Sequence, residues 1–220
     1  MKLIDIVLPV YNEEAGIAAF HRALLDAVTP LADRYTFRFI YVLDRSSDRT
    51  FEVLKDLAAR TPRTDVLHLS SRFGHQMSLV AGIDRSSGDA LIMMDADLQH
   101  PPSVIPALLE KFEGGFDVVQ TIRRYGQDAG WLRRQASRLF YALQNALSPV
   151  EIKDGMADFR LLSRRVVRVF QNNIREQNQF LRGLFQWVGF RRAEVVFTSA
   201  ERASGVTKYN LRRLLTFSTT

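Results

Sequence analysis

Cysteine is absent from this chain, which removes disulfide frameworks, thiolate nucleophiles and cysteine metal sites together. A zinc centre is therefore not expected, and the composition fits a reducing compartment. No uninterrupted apolar run reaches the about 18 residues needed to cross a bilayer, and Met1 opens no basic-then-apolar leader. As given, the chain is expected to be soluble. The first strand-like run lacks the glycine fingerprint of a dinucleotide-binding dehydrogenase after it. There is no recognised nucleic-acid motif, no Pro/Gly/Ser-rich linker and no internal repeat.

What is present is a chain of 220 residues, 46% of them hydrophobic, enough to bury a sizeable core as one domain. The net charge of +6 is unevenly placed. Between Arg160 and Arg213, twelve Lys or Arg stand against Glu176, Glu194 and Glu201, a local balance of +9 that leaves the remainder at −3. Such asymmetry points to an anionic partner: nucleic acid, a phosphorylated ligand or a lipid head-group surface. A solvated basic face explains the excess equally well.

Hydrophobic periodicity predicts strands at Leu3 to Val10, Thr36 to Leu43, Val66 to Leu69, Ala90 to Met94 and Phe116 to Thr121. Helices are predicted between them over Glu13 to Val28, Thr50 to Ala59, His75 to Arg85 and Ser103 to Phe112. This alternation implies an α/β fold, a mostly parallel sheet flanked by helices, with ligands in the crevice beyond the strands' carboxyl ends. After residue 122 the rhythm breaks. Helices are expected over Leu132 to Leu147, Arg164 to Gln171 and Phe180 to Trp187, with a strand at Ala193 to Thr198.

Four constellations fall at predicted strand ends. The most informative is Asp95-Ala96-Asp97-Leu98-Gln99-His100-Pro101-Pro102, directly after the apolar run Ala90 to Met94. Two carboxylates one residue apart repel each other unless a cation or proton sits between them. Magnesium and manganese favour oxygen ligands, and a protein usually supplies one or two carboxylates while water and substrate phosphates complete the shell. A solvated turn is the plainer explanation of Asp-x-Asp alone.

The second constellation is Pro9-Val10-Tyr11-Asn12-Glu13-Glu14, whose free backbone N–H groups are expected to meet a base or ribose. In the third, Asp44-Arg45-Ser46-Ser47-Asp48, Asp44 is placed to accept from a base or ribose and Asp48 to cap the following helix. The fourth is Asp154-Gly155-Met156-Ala157-Asp158-Phe159-Arg160. There Asp158 is either a catalytic carboxylate or the partner of a nearby arginine such as Arg160.

Taken with Phe73-Gly74-His75-Gln76, Ala81-Gly82, Phe180-Leu181-Arg182-Gly183 and Arg202-x-x-Gly205-x-Thr207-Lys208-Tyr209, these runs resemble the family 2 glycosyltransferases of the GT-A (nucleotide-diphospho-sugar transferase) fold. The likeness is greatest to the branch that transfers a sugar to polyprenyl phosphate, such as dolichyl-phosphate mannose synthase. It covers nearly the whole chain.

The resemblance implies an inverting, metal-dependent enzyme that uses magnesium or manganese at the cytoplasmic membrane face. Its donor would be a nucleotide-diphospho-sugar and its acceptor a polyprenyl phosphate, in the building of cell-envelope glycans. Asp97 would be the chief metal ligand, with Asp95 and Gln99 beside it. Pro9, Tyr11, Glu13, Asp44 and Asp95 would contact the nucleotide sugar, and Arg123 with Arg133 or Arg134 would hold the diphosphate. Arg202, Thr207 and Lys208 would receive the acceptor phosphate. Asp158 would be the catalytic residue, with orientation its larger task, because a phosphomonoester with a second pKa near about 6 needs little deprotonation.

Residues 1–122 would form a nucleotide-sugar half and 123–220 an acceptor half of one domain, with membrane helices following beyond 220. The basic face would lie against anionic lipid. A homo-oligomer is allowed and a nucleic-acid partner is not expected.

Some residues depart from the family pattern. Leu43-Asp44-Arg45-Ser46 stands where Asp or Asn, Asp, Gly and Ser are usual, Ser71-Arg72 replaces Arg-Asn, and Ser199 replaces an arginine. Gln179-Phe180-Leu181-Arg182-Gly183 lacks the tryptophan of the processive Gln-x-x-Arg-Trp motif, which favours transfer of one sugar. Two further readings follow from these departures: the same fold with a glycan, protein or small-molecule acceptor, or a non-catalytic subunit that binds a nucleotide sugar or lipid phosphate.

Overall fold

The computed structural model describes residues 1–124, 155–175 and 180–198. Seven strands form one sheet: β1 (Lys2–Val10), β2 (Tyr35–Leu43), β3 (Thr64–His68), β4 (Ala90–Met93), β5 (Val118–Arg124), β6 (Met156–Ser163) and β7 (Arg192–Thr198), in the order β3-β2-β1-β4-β6-β5-β7. Pairing is parallel from β3 through β4 and between β5 and β7; β6 runs antiparallel to both its neighbours.

Side chains alternate across the sheet as the strand period of two requires. Ile4, Ile6 and Leu8 of β1 face one core with Phe159 and Leu161 of β6, while Val7 faces the other with Met93 and Leu162. The first face is covered by α1 (Ile17–Val28), α2 (Thr50–Arg60) and α4 (Ile105–Glu113). The second is covered by α3 (His75–Arg85), α5 (Arg164–Asn172) and α6 (Leu181–Trp187). Burial on both faces explains why β1 and β4 read as continuous apolar runs. Helix α3 approaches β1 closely, because a Cβ added at Gly82 would lie 2.2 Å from Val7 Cγ1.

Three expectations are corrected. Helix α1 begins at Ile17 rather than Glu13, because Asn12 adopts a left-handed φ of 53° and breaks the helical path. Helix α4 begins at Ile105, after a short 3₁₀ turn at Pro102–Val104. Strand β6 was not anticipated: Asp158 and Arg160 make its sequence look polar, yet Arg160 is fully buried. The predicted helix Leu132 to Leu147 lies outside the described residues.

The topology assembles the site. Val10 of β1 is in register with Leu43 of β2, and Met93 of β4 with Arg160 of the reversed β6. The carboxyl ends of β1, β2 and β4 and the amino end of β6 therefore meet at one edge of the sheet.

Candidate functional site

At that edge the β1–α1 and β2–α2 loops are stitched together. The N–H groups of Asn12, Glu13 and Glu14 donate to Ser46 Oγ (3.0 Å), Thr50 Oγ1 (2.9 Å) and Asp48 Oδ2 (3.3 Å). In return the N–H groups of Ser47 and Arg49 donate to Asn12 Oδ1 and Glu14 Oε2. The expectation of free N–H groups for a base or ribose is thus corrected for Asn12, Glu13 and Glu14, whose N–H groups are taken by the β2–α2 loop. Asp48 accepts from Thr50 N–H at 3.1 Å, but it stands one residue before the expected cap position, which Arg49 occupies.

Asp44 is buried, and its carboxylate accepts from the N–H groups of Arg45 (3.0 Å), Phe73 (2.9 Å) and Gly74 (2.9 Å). It ties the entry of α3 to the end of β2. Gly74, at φ 86°, makes the turn that brings His75 inward.

The Asp95 to His100 turn is built around a left-handed Leu98 (φ 63°). Asp97 Oδ1 accepts from Gln99 N–H at 3.0 Å. The Asp95 N–H donates to His100 Nδ1 at 2.9 Å, and the buried His100 ring stacks on Phe159 with centroids 5.4 Å apart. Burial lowers the His100 pKa below its ordinary value, outweighing the opposing pull of Asp95. A neutral ring that accepts at Nδ1 must carry its proton on Nε2.

Asp158 enters from β6. Its Oδ1 accepts from Arg160 Nη2 (3.1 Å) and Arg182 Nε (3.3 Å), and its Oδ2 from Arg182 Nη2 (2.9 Å). His75 Nε2 lies 3.6 Å from both Asp158 Oδ2 and Asp95 Oδ1, so the imidazole joins the two carboxylates. Burial raises the Asp158 pKa, but His75 and the Arg160 and Arg182 guanidinium groups lower it more, holding it well below the usual carboxylate range. For His75 burial lowers the pKa, and the hydrogen bond to Asp158 with the Asp95 charge overrides it, leaving a net rise. Both readings of Asp158 therefore survive: it stands at the cleft, and it is paired with Arg160.

These groups line a cleft of ≈ 370 Å³. Of the predicted residues, Pro9, Tyr11, Glu13, Asp44, Asp95, Asp97 and Asp158 line it. Gln99 and Arg123 meet beside it, with both guanidinium Nη atoms 3.5 Å from Gln99 Oε1. Arg133, Arg134, Arg202, Thr207 and Lys208 lie outside the described residues.

Sequence reasoning gave no role to Arg72, whose guanidinium sits 4.2 Å over the Tyr11 ring, or to His75 and His100. The Phe-Gly-His-Gln run marked His75, but its carboxylate partners arrive from β4 and β6.

The donor set fits a hard cation. Among the described residues no three His, Cys, Asp or Glu are grouped to cage a metal. Asp95 and Asp97 instead offer carboxylate oxygens at the cleft, the arrangement that magnesium or manganese completes with ligand phosphates, while Gln99 Oε1 faces Arg123.

Residues 5–170 match Glycosyl transferase family 2. Over 97% of this chain and 65% of its own length, an uncharacterised glycosyltransferase of Bacillus subtilis, YkcC, is 35% identical. A glycosyltransferase of Synechocystis, also uncharacterised, is 36% identical over 98% of this chain and 67% of its own. The bactoprenol glucosyl transferase of Shigella phage SfV is 37% identical over 94% and 66%. This chain thus spans about two thirds of the length of its curated relatives.

A crystal structure of glucosyl-3-phosphoglycerate synthase from Mycobacterium tuberculosis, in complex with Mn2+, uridine-diphosphate-glucose and phosphoglyceric acid, shares the fold. Its TM-score is 0.60 at 21% identity, covering 99% of this chain and 76% of that one.

Proposed function

This chain belongs to glycosyl transferase family 2, and on that premise we propose that it moves one sugar from a nucleotide-diphospho-sugar to a polyprenyl phosphate. The observation that carries the reading is the convergence of the Asp95–Asp97 turn and Asp158 on His75 within one cleft. Relatives named for bactoprenol glucosyl transfer support the acceptor.

Pro9, Tyr11, Glu13 and Asp44 would receive the nucleoside side of the donor, and Arg123 the diphosphate, since a guanidinium fork fits phosphate oxygens bidentately. Arg133 or Arg134 would share that task. Asp95, Asp97 and Gln99 would hold magnesium or manganese, which when bound supplies charge neutralisation for the departing diphosphate. An acceptor phosphate oxygen attacks the anomeric carbon from the opposite face. The bond to the diphosphate breaks, its electron pair leaves with the nucleoside diphosphate, and the anomeric centre inverts. Arg202, Thr207 and Lys208 would bind the acceptor phosphate. The work would take place at the cytoplasmic membrane face, with residues 1–122 serving the donor and 123–220 the acceptor.

The test incubates the full-length protein with Mn2+ or Mg2+, labelled UDP- and GDP-sugars, and either undecaprenyl phosphate, dolichyl phosphate or soluble glycans. Label in the lipid fraction is expected. Label confined to a glycan would establish the other acceptor class, and donor binding without transfer to any acceptor would establish a non-catalytic subunit.

A further inference from the structure

Arg160 stands at the centre of β6, opposite Met93 of β4 and Gln120 of β5, with none of its surface exposed. Its guanidinium packs 4.6 Å from the Phe185 ring of α6. Placing a charge there is costly unless it is paired and its hydrogen bonds are met. Here one nitrogen does the pairing: Nη2 donates to Ala157 O (3.0 Å) and Asp158 Oδ1 (3.1 Å), whereas Nε and Nη1 have no hydrogen-bond partner among the described residues. An arginine kept for stability would satisfy more of its five donors. This one is aimed at a single carboxylate.

Asp158 in turn is engaged from three elements. Arg160 of β6 and Arg182 of α6 fill Oδ1, while Arg182 and His75 of α3 face Oδ2. Three guanidinium N–H groups donate to this carboxylate, and the His75 imidazole lies 3.6 Å from Oδ2. Arg182 and His75 are themselves partly exposed, at 29% and 41% of their side-chain surface.

We propose that Arg160 is a positioning residue: it roots Asp158 as a fixed anion that holds His75 at the cleft and Arg182 beside it. The kcat readout rests on the proposed transfer reaction; the Arg160–Asp158 coupling does not.

The experiment is a double-mutant cycle on the full-length protein with Asp158→Asn, Arg160→Met and the pair, plus Arg160→Lys as the conservative variant. Thermal midpoint, kcat and donor KM are measured with labelled nucleotide sugar and undecaprenyl phosphate. Asp158→Asn should lower the midpoint by stranding the buried guanidinium, and adding Arg160→Met should restore most of that loss. Each single substitution should lower kcat about 100-fold, as misplacement of a site by about 1 Å does. The pair should be no worse than the worse single variant, donor KM should stay within about 2-fold, and Arg160→Lys should recover part of kcat.

Midpoint losses that add, or kcat losses that multiply in the pair, would overturn the role of Arg160. Coupled midpoints in a protein that leaves undecaprenyl phosphate unmodified would overturn the proposed transfer reaction and leave the Arg160–Asp158 coupling standing.

Discussion

His21 lies buried on α1 between Tyr41 and Thr61, with Nδ1 2.7 Å from the phenol oxygen and Nε2 2.9 Å from the threonine hydroxyl. Burial lowers its pKa below the ordinary 6.5. Below that value the unfolded chain binds a proton that the folded chain refuses, so stability is complete above pH 6.5 and falls with further acidification until the folded value is passed. His100 acts with the same sign. One such histidine contributes a slope of at most about 1.4 kcal/mol per pH unit. Urea midpoints between pH 8 and 5 should therefore fall on the acid side, and His21→Gln should be less stable at pH 8 but show a shallower acid slope. An unchanged slope would mean that His21 binds its proton equally well in the folded and the unfolded chain.

Asp44 gives a second test at this scale. Removing its carboxylate in Asp44→Ala strands the Phe73 and Gly74 N–H groups, at a cost of about 1–3 kcal/mol if they stay buried. Equilibrium unfolding reads the stability, and donor KM should rise because Gly74 and His75 line the cleft. The sequence marked Asp44 as a site residue but could not show that its oxygens are occupied by the chain's own backbone. That partner set depends on where residues 73–74 return, which no local pattern encodes.

Among the elements, α3 was the most legible, its limits His75 and Arg85 following from the preceding glycine and the apolar stripe. Its contact with β1 was not. Gly82 presses on Val7, and Gly82→Ala would drive a methyl into the valine side chain. Overpacking of this kind costs about 1–3 kcal/mol, measurable as a lowered urea midpoint, and Val7→Ala added to it should recover part of the loss. Full additivity of the two substitutions would refute the clash.

Strand β6 was missed for a related reason. Asp158 and Arg160 interrupt the apolar pattern, and the signal that would have rescued it, two opposite charges paired on a buried strand, is visible in three dimensions alone. Helix α1 was extended too far because Glu13 and Glu14 look like a helical first turn. In the fold their N–H groups belong to the β2–α2 loop.

For the molecule as a whole, the alternation of strand and helix was sufficient to anticipate a mostly parallel sheet with its site beyond the carboxyl ends. The reversal of β6 is what the alternation could not supply, and it is the reversal that carries Asp158 to the Asp95–Asp97 turn. Resemblance named the two acids and Asp158 together; topology accounts for how they meet. No helix among the described residues is long and apolar enough to cross a membrane.

The central claim is that this cleft transfers sugar to a polyprenyl phosphate through a cation held at Asp97. The direct measurement is lipid-linked label formed by full-length wild type and Asp97→Asn from a labelled nucleotide sugar and undecaprenyl phosphate, with Mn2+ or Mg2+ and with chelator. Loss of an electrostatic stabiliser of the leaving group predicts a fall of about 100-fold or more in both the variant and the chelated wild type, with the thermal midpoint of Asp97→Asn unchanged. Undiminished label in the variant, or in wild type after chelation, would contradict the account.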